Sequence, residues 1–146
     1  MLIRAAVPGD IPEMLALAAQ SETAAHWSAR EYETLFASDA PKRVAIVASD
    51  DELRGFVIAR RADEGWEIEN VVVAGRFLRQ GIGERLVNEV VRKAREAGVA
   101  SVLLEVRESN TAARGMYTKL RFKEEGRRSQ YYAHPEEDAV LLRRRF

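Results

Sequence analysis

The sequence predicts a mixed α/β fold, one sheet of seven strands flanked by four helices in the order βαα-βββ-α-β-α-ββ. Three observations carry this. Val71-Val72-Val73 reads as a buried strand that runs through a glycine-bearing turn into residues 83–97, where Leu86, Val87, Val90, Val91 and Ala94 form one helical stripe. Residues 43–49, 53–61 and 67–73 are three extended stretches divided by the turns Asp50-Asp51-Glu52 and Gly65-Trp66. Residues 99–107 then form a further apolar strand, followed by a short helix and two closing strands near 123–132 and 139–144. Strands interleaved with helices in this way bury a sheet between helical layers.

The elements can be justified in order. Residues 2–7 read as a first strand, and Pro8-Gly9-Asp10 turns the chain. Asp10 and Glu13 have the spacing of a capping pair with Pro12 in the first turn, so a helix follows with Ile11, Met14, Leu15, Leu17 and Ala18 facing inward. Trp27-Ser28 opens the second helix, with Ser28 and Glu31 as another capping box and Tyr32, Leu35 and Phe36 as its apolar face. Gly98 stands where a helix-ending glycine is expected, and Asn110 caps a helix that runs to Leu120.

Composition bounds the function. A chain of 146 residues suits one domain spanning residues 1–146. Lys plus Arg equal Asp plus Glu at 23 each, so no global field favours nucleic acid or a membrane surface. There is no cysteine, which excludes disulfides, thiolate metal sites and a thioester on the protein. The longest apolar run, Met14 to Ala19, is too short to span a bilayer, and the first residues lack a signal-peptide pattern; a cytoplasmic protein is expected. His26 and His134 have no ligand spacing, so no metal is expected. Glu64, Glu67 and Glu69 read as a solvated strand face, and Arg143-Arg144-Arg145 as a charged tail.

Chemistry concentrates in three places. At Arg79-Gln80-Gly81-Ile82-Gly83-Glu84 two glycines remove side chains at a helix start, leaving backbone N–H groups near the positive end of the dipole, a site suited to pyrophosphate. Leu86 replaces the third glycine of the dinucleotide fingerprint and no Gly-Lys-Ser/Thr follows, so the pyrophosphate belongs to another carrier. In residues 102–107, Val102, Leu104 and Val106 point one way and Leu103, Glu105 and Arg107 the other. A carboxylate there is paired, with Arg107 or across the sheet, or it is used. Tyr117 is either a core aromatic or a proton donor, since a phenol near pKa 10 lies just above a thiol near about 8.5. Asn110 caps its helix and can also bond a ligand amide.

Together Arg79-Gln80-Gly81-Ile82-Gly83, Leu104-Glu105-Val106-Arg107-x-Ser109-Asn110 and Met116-Tyr117-x-x-Leu120-x-Phe122 resemble the GNAT superfamily of acetyl-CoA-dependent N-acetyltransferases. With Arg128-x-x-Tyr131-Tyr132 downstream, the chain is most similar to its RimI-like branch, the ribosomal-protein-alanine N-acetyltransferases. The resemblance implies a mostly antiparallel sheet splayed between the fourth and fifth strands. It implies that Val71, Val72 and Val73 pair with the pantetheine arm of acetyl-CoA, that Arg79, Gln80, Gly81, Ile82, Gly83 and Glu84 hold its pyrophosphate, and that Asn110 contacts the arm. Glu105 is then the proton acceptor and Tyr117 the proton donor to the departing thiolate, with Trp27, Arg107, Tyr131 and Tyr132 on the acceptor side. The implied partner is a protein N-terminus, that of a ribosomal protein in the nearest branch, with no direct nucleic-acid or membrane contact. A small amine, a lysine side chain, or acyl-CoA binding without catalysis are the alternatives. Two departures stand out: Arg121 replaces a customary glycine after the tyrosine helix, and Ala74-Gly75 replaces the commoner Asp-Pro.

Overall fold

The computed structural model describes residues 1–21, 24–25, 27–37, 42–133 and 136–146. Its seven strands are β1 (Leu2–Ala5), β2 (Arg43–Ser49), β3 (Leu53–Arg60), β4 (Trp66–Val73), β5 (Ser101–Arg107), β6 (Lys123–Tyr132) and β7 (Glu137–Arg145). Four α-helices accompany them: α1 (Ile11–Gln20), α2 (Ala29–Thr34), α3 (Ile82–Glu96) and α4 (Thr111–Lys119). The strands form one sheet in the order β1-β2-β3-β4-β5-β7-β6. Every neighbouring pair is antiparallel except β4 with β5.

Two apolar layers sandwich the sheet. On one face the α3 stripe of Ile82, Leu86, Val87, Val90, Val91 and Ala94 packs with Val57, Ala59, Val102, Leu104 and Val106, together with Tyr117 and Leu120 of the α4 segment. On the other, Met14 and Ala18 of α1 and Tyr32 of α2 pack on Val47, Phe56, Ile58 and Val72. α3 and α4 therefore lie on one side, α1 and α2 on the other.

The feature that creates the site is a break in counting. Along β4, Ile68 pairs with Ala59 and Asn70 with Ile58, so Glu69 has no partner on β3. Such a bulge bends its strand and puts two successive residues on one face. Before it Trp66 and Ile68 face α3; after it Val71 and Val73 pack on the α3 layer while Asn70 and Val72 turn toward α1 and α2. β4 pairs with β5 only at Trp66↔Val102, Glu67↔Leu103 and Ile68↔Leu104, and beyond that level no pairing between the two strands is found among the described residues. The sheet is split from there on.

Several expectations are corrected. Asp10 does not cap α1: its carboxylate accepts from the Val7 N–H at 2.8 Å and from the Arg4 guanidinium at 2.8 and 2.9 Å, closing the turn before the helix, while Glu13 accepts from the Leu53 N–H at 2.9 Å. Arg143-Arg144-Arg145 is no tail but belongs to β7, an interior strand, where Glu125 takes Arg143 and Arg145 and Arg144 donates to the Leu120 carbonyl. Glu67 and Glu69 are not a bare solvated face, since they pair with Arg60 at 3.5 Å and Arg43 at 2.7 Å. The Ser28–Glu31 box forms as expected, with both bonds at 3.2 Å. His26 and His134 lie outside the described residues; among the described residues no group of His, Cys, Asp or Glu could hold a metal, and no helix is long and apolar enough to cross a membrane.

Candidate active site

Glu105 is the first residue of β5 whose facing sheet edge is empty, because its predecessor Leu104 makes the last pair with β4. It is register partner to Leu141 on β7, on the face opposite α3. Its side chain is 19% exposed, and the two oxygens are unequal. Oε1 lies 3.4 Å from Arg128 Nε, whereas Oε2 is buried with no hydrogen-bond partner. A buried anion oxygen left open is costly unless something completes it. Of the two pairings the sequence allows, the structure has the one across the sheet, with Arg128, while Arg107 bonds Glu137 at 2.9 Å.

Around Glu105 gathers a wall from β5, β6 and β7. Arg107 stacks on Tyr132 at 4.3 Å and Arg128 on Tyr131 at 4.9 Å, and the two tyrosine rings meet edge to face at 5.1 Å. A second bulge produces this arrangement. Arg128 pairs with Ala139 and Tyr132 with Glu137, so β6 carries three residues against one, and Gln130 takes a left-handed φ of +54° while its N–H bonds Asp138 at 3.0 Å. Burial, and then the Glu105 charge, push the Tyr132 phenol up. The Glu137 carboxyl is held below its usual range, chiefly by Arg107 and then by Ser109.

Across the split stand residues of α2 and β4. Trp27 packs on Tyr32 at 5.6 Å, and the Arg43 guanidinium, held by Glu69, covers the Trp27 ring at 5.2 Å. Asn70 Oδ1 accepts from the Ala25 N–H at 3.2 Å, while the Asn70 amide and the Tyr32 hydroxyl face each other, with Nδ2 and the hydroxyl buried and neither completing a full hydrogen bond. Three of the four such side-chain atoms found in the described residues therefore belong to Tyr32, Asn70 and Glu105, all on the α1/α2 face and beside the split. Tyr32, Asn70, Arg128 and Glu137 were not singled out as functional from sequence. A lone Asn ahead of Val71-Val72-Val73 in a buried strand was the available signal for one of them.

Tyr117 occupies the other side. It belongs to the α3-face layer, is 5% exposed, and meets Phe122 edge to face at 5.4 Å. Burial pushes its phenol well above the ordinary value, further than the near-match to a thiol assumed from sequence. Glu105 and Tyr117 thus flank the sheet from opposite faces with the split between them.

The glycine turn joins β4 to α3. Gly81 has φ +79° with open space where a Cβ would stand, so its backbone, not crowding, demands glycine. Arg79 also takes a left-handed φ of +63°, is exposed and has no ion-pair partner among the described residues. At Gly83 a Cβ would come 3.3 Å from Met116 Sδ, so its missing side chain also makes room for α4. Glu84 is tied to Lys119 at 3.0 Å. Asn110 caps α4 by accepting from the Ala113 N–H at 3.2 Å. The open turn, the free β4 edge at Val71 to Val73 and the uncompleted Glu105 oxygen together fit an elongated diphosphate-bearing thioester threaded along the split.

Comparison with known proteins agrees. The acetyltransferase (GNAT) family matches residues 11–122. The [ribosomal protein bS18]-alanine N-acetyltransferase of Salmonella typhimurium is 30% identical over 126 residues, covering 84% of this chain and 85% of that one. The crystal structure of the ribosomal-protein-S18-alanine N-acetyltransferase from Escherichia coli superposes with a TM-score of 0.86 at 25% identity, covering 97% of this chain and 91% of that one. A GNAT acetyltransferase from Elizabethkingia anophelis with acetyl-CoA bound shares the fold at a TM-score of 0.77 and 22% identity, over 99% of this chain and 97% of that one.

Proposed function

This chain belongs to the acetyltransferase (GNAT) family and is an acetyl-CoA-dependent N-acetyltransferase, and from that premise we propose that it acetylates the α-amino group of a protein N-terminus, an alanine of a ribosomal protein, by direct attack. The observation that carries the reaction is the open, buried Oε2 of Glu105 at the start of the split. The acceptor class follows the relatives, which are named as ribosomal-protein-alanine N-acetyltransferases.

The residues divide the work by face. The N–H groups at Gly81 to Glu84 and Arg79 grip the diphosphate, the Val71–Val73 edge and Asn110 align the arm, and the acyl carbon is thereby held at the split. The amine enters from the side of Trp27, Tyr131, Tyr132 and Arg107. Glu105 takes its proton, directly or through water, as the nitrogen bonds to the acyl carbon. Tyr117 gives its proton to sulfur as the carbon–sulfur bond breaks. With no cysteine in the chain, no acyl-enzyme on a thiol is available. An α-amino group with pKa about 7.7–8 needs roughly 3 kcal/mol less deprotonation than a lysine at about 10.4, so a single carboxylate suffices.

The test is mass spectrometry of acetylation on an alanine-starting peptide, a lysine peptide with a blocked N-terminus, and free polyamines. Preferred modification of the alanine peptide is expected; exclusive turnover of polyamines overturns the acceptor assignment. Glu105→Gln is expected to lower turnover at least about a hundredfold with acetyl-CoA affinity unchanged.

A further inference from the structure

The two oxygens of Glu105 differ: Oε1 lies within ion-pair distance of one arginine, and Oε2 is buried without a hydrogen-bond partner. Arg128 sits on β6, separated from β5 by β7. Its register partner on β7 is Ala139, and the β5 partner of Ala139 is Arg107, so Arg128, Ala139 and Arg107 line up across one face of the sheet. Register partners share a face, and Glu105 lies two residues from Arg107 on that same face. Ala139 is small and fully buried, which lets the long Arg128 side chain lean across β7 until Nε is 3.4 Å from Glu105 Oε1. Its guanidinium rests on the Tyr131 ring at 4.9 Å, in the position set by the left-handed turn at Gln130.

The other charges near Glu105 are otherwise engaged. Arg107 on its own strand is bonded to Glu137, Tyr132 is a neutral phenol under the Arg107 guanidinium, and across the split Glu69 holds Arg43. Arg128 is 61% exposed, so as a surface ion pair its contact contributes little to stability. Stability does not explain why it is there. What the contact bears on is geometry: Nε lies 3.4 Å from Oε1, while Oε2 is the oxygen left buried without a partner.

We infer that Arg128 is a positioning residue for acetyl transfer, fixing Glu105 through Oε1 so that Oε2 is the single oxygen presented to the amine. This rests on Glu105 being the proton acceptor. Arg128 touches neither reactant in this role. The stacked Tyr131 limits its rotamers, so the loop that carries the acceptor wall also sets the direction of the base.

The experiment compares Arg128→Met, Arg128→Lys, Glu105→Gln and the double variant Glu105→Gln with Arg128→Met. Each is assayed for kcat and KM with an alanine-starting peptide, and for acetyl-CoA Kd by calorimetry. Arg128→Met is expected to lower kcat on the order of tenfold with the acetyl-CoA Kd unchanged, and Arg128→Lys to recover most of it. In the Glu105→Gln background, Arg128→Met is expected to have no further effect on the residual rate. An equal loss in both backgrounds, an effect confined to peptide KM, or no loss of kcat overturns the positioning role. Full turnover by Glu105→Gln overturns the proton-acceptor reading as well, whereas its inactivity beside a fully active Arg128→Met overturns only the role of Arg128.

Discussion

Arg121 offers a measurement of backbone strain free of the active site. The residue follows α4 with φ +70°. Its N–H bonds the Thr118 carbonyl at 3.0 Å and the next N–H, of Phe122, bonds Tyr117 at 2.9 Å, the paired bonds of a Schellman turn with Phe122 packed on Tyr117. That motif asks for glycine, and the sequence supplies a β-carbon. The left-handed conformation costs an L-residue about 1–2 kcal/mol. Glycine returns about 0.5–1 kcal/mol of this through its greater freedom in the unfolded chain. Arg121→Gly is therefore expected to stabilise the protein by about 0.5–1 kcal/mol, or about 2–3 °C in Tm for a chain of this size. Arg121 also repels Arg144, so Arg121→Ala is the control: it removes the charge but keeps the β-carbon. Urea denaturation followed by circular dichroism reads both, with unchanged slope and a higher midpoint for the glycine variant. If Arg121→Gly is no more stable than Arg121→Ala, the strain argument fails.

Two further outcomes follow from contacts away from the reaction. Asp10 is held below the usual carboxylate range, chiefly by the Arg4 hydrogen bonds. Its contribution is therefore full above the unfolded value of about 3.9 and lost as pH falls through the lower folded value; Asp10→Asn is expected to lower Tm at neutral pH and to flatten the Tm-against-pH curve below pH 4, and a curve parallel to that of the parent contradicts this. Gly83→Val is expected to destabilise by about 1–3 kcal/mol through crowding of Met116; a companion Met116→Ala that restores none of the loss in a double-mutant cycle removes Met116 as the cause.

The sheet was legible because its signals are periodic. The run 43–49 is an apolar stretch rich in β-branched residues that ends at a turn, and the α3 stripe recurs at helical spacing, so β2 and α3 emerged within a residue or two of their observed limits. The side on which Glu105 points followed from period two alone. Asp10 misled because one carboxylate can cap a helix or close the turn before it, and Arg4 decides between these from six residues earlier in the chain. The arginine run misled in another way: charge reads as solvent-facing, but Glu125 and Ser101 on neighbouring strands accept two of these side chains, and nothing local to 143–145 announces that. The position of Arg128 over Glu105 depends on the bulge at Gln130 and on Ala139 being small, a coincidence of three strands. Such cross-strand geometry has no local signature.

The surplus residue at Glu69 has a consequence for how this enzyme can vary. Where β4 parts from β5, the strand also carries one residue more than its β3 partner. Exchanging one amino acid for another leaves that mismatch intact, whereas adding or removing one resets which way every later side chain of β4 faces. Tolerance here is accordingly a matter of length before chemistry, and inserting or deleting one residue in this strand is expected to disturb it more than a substitution does.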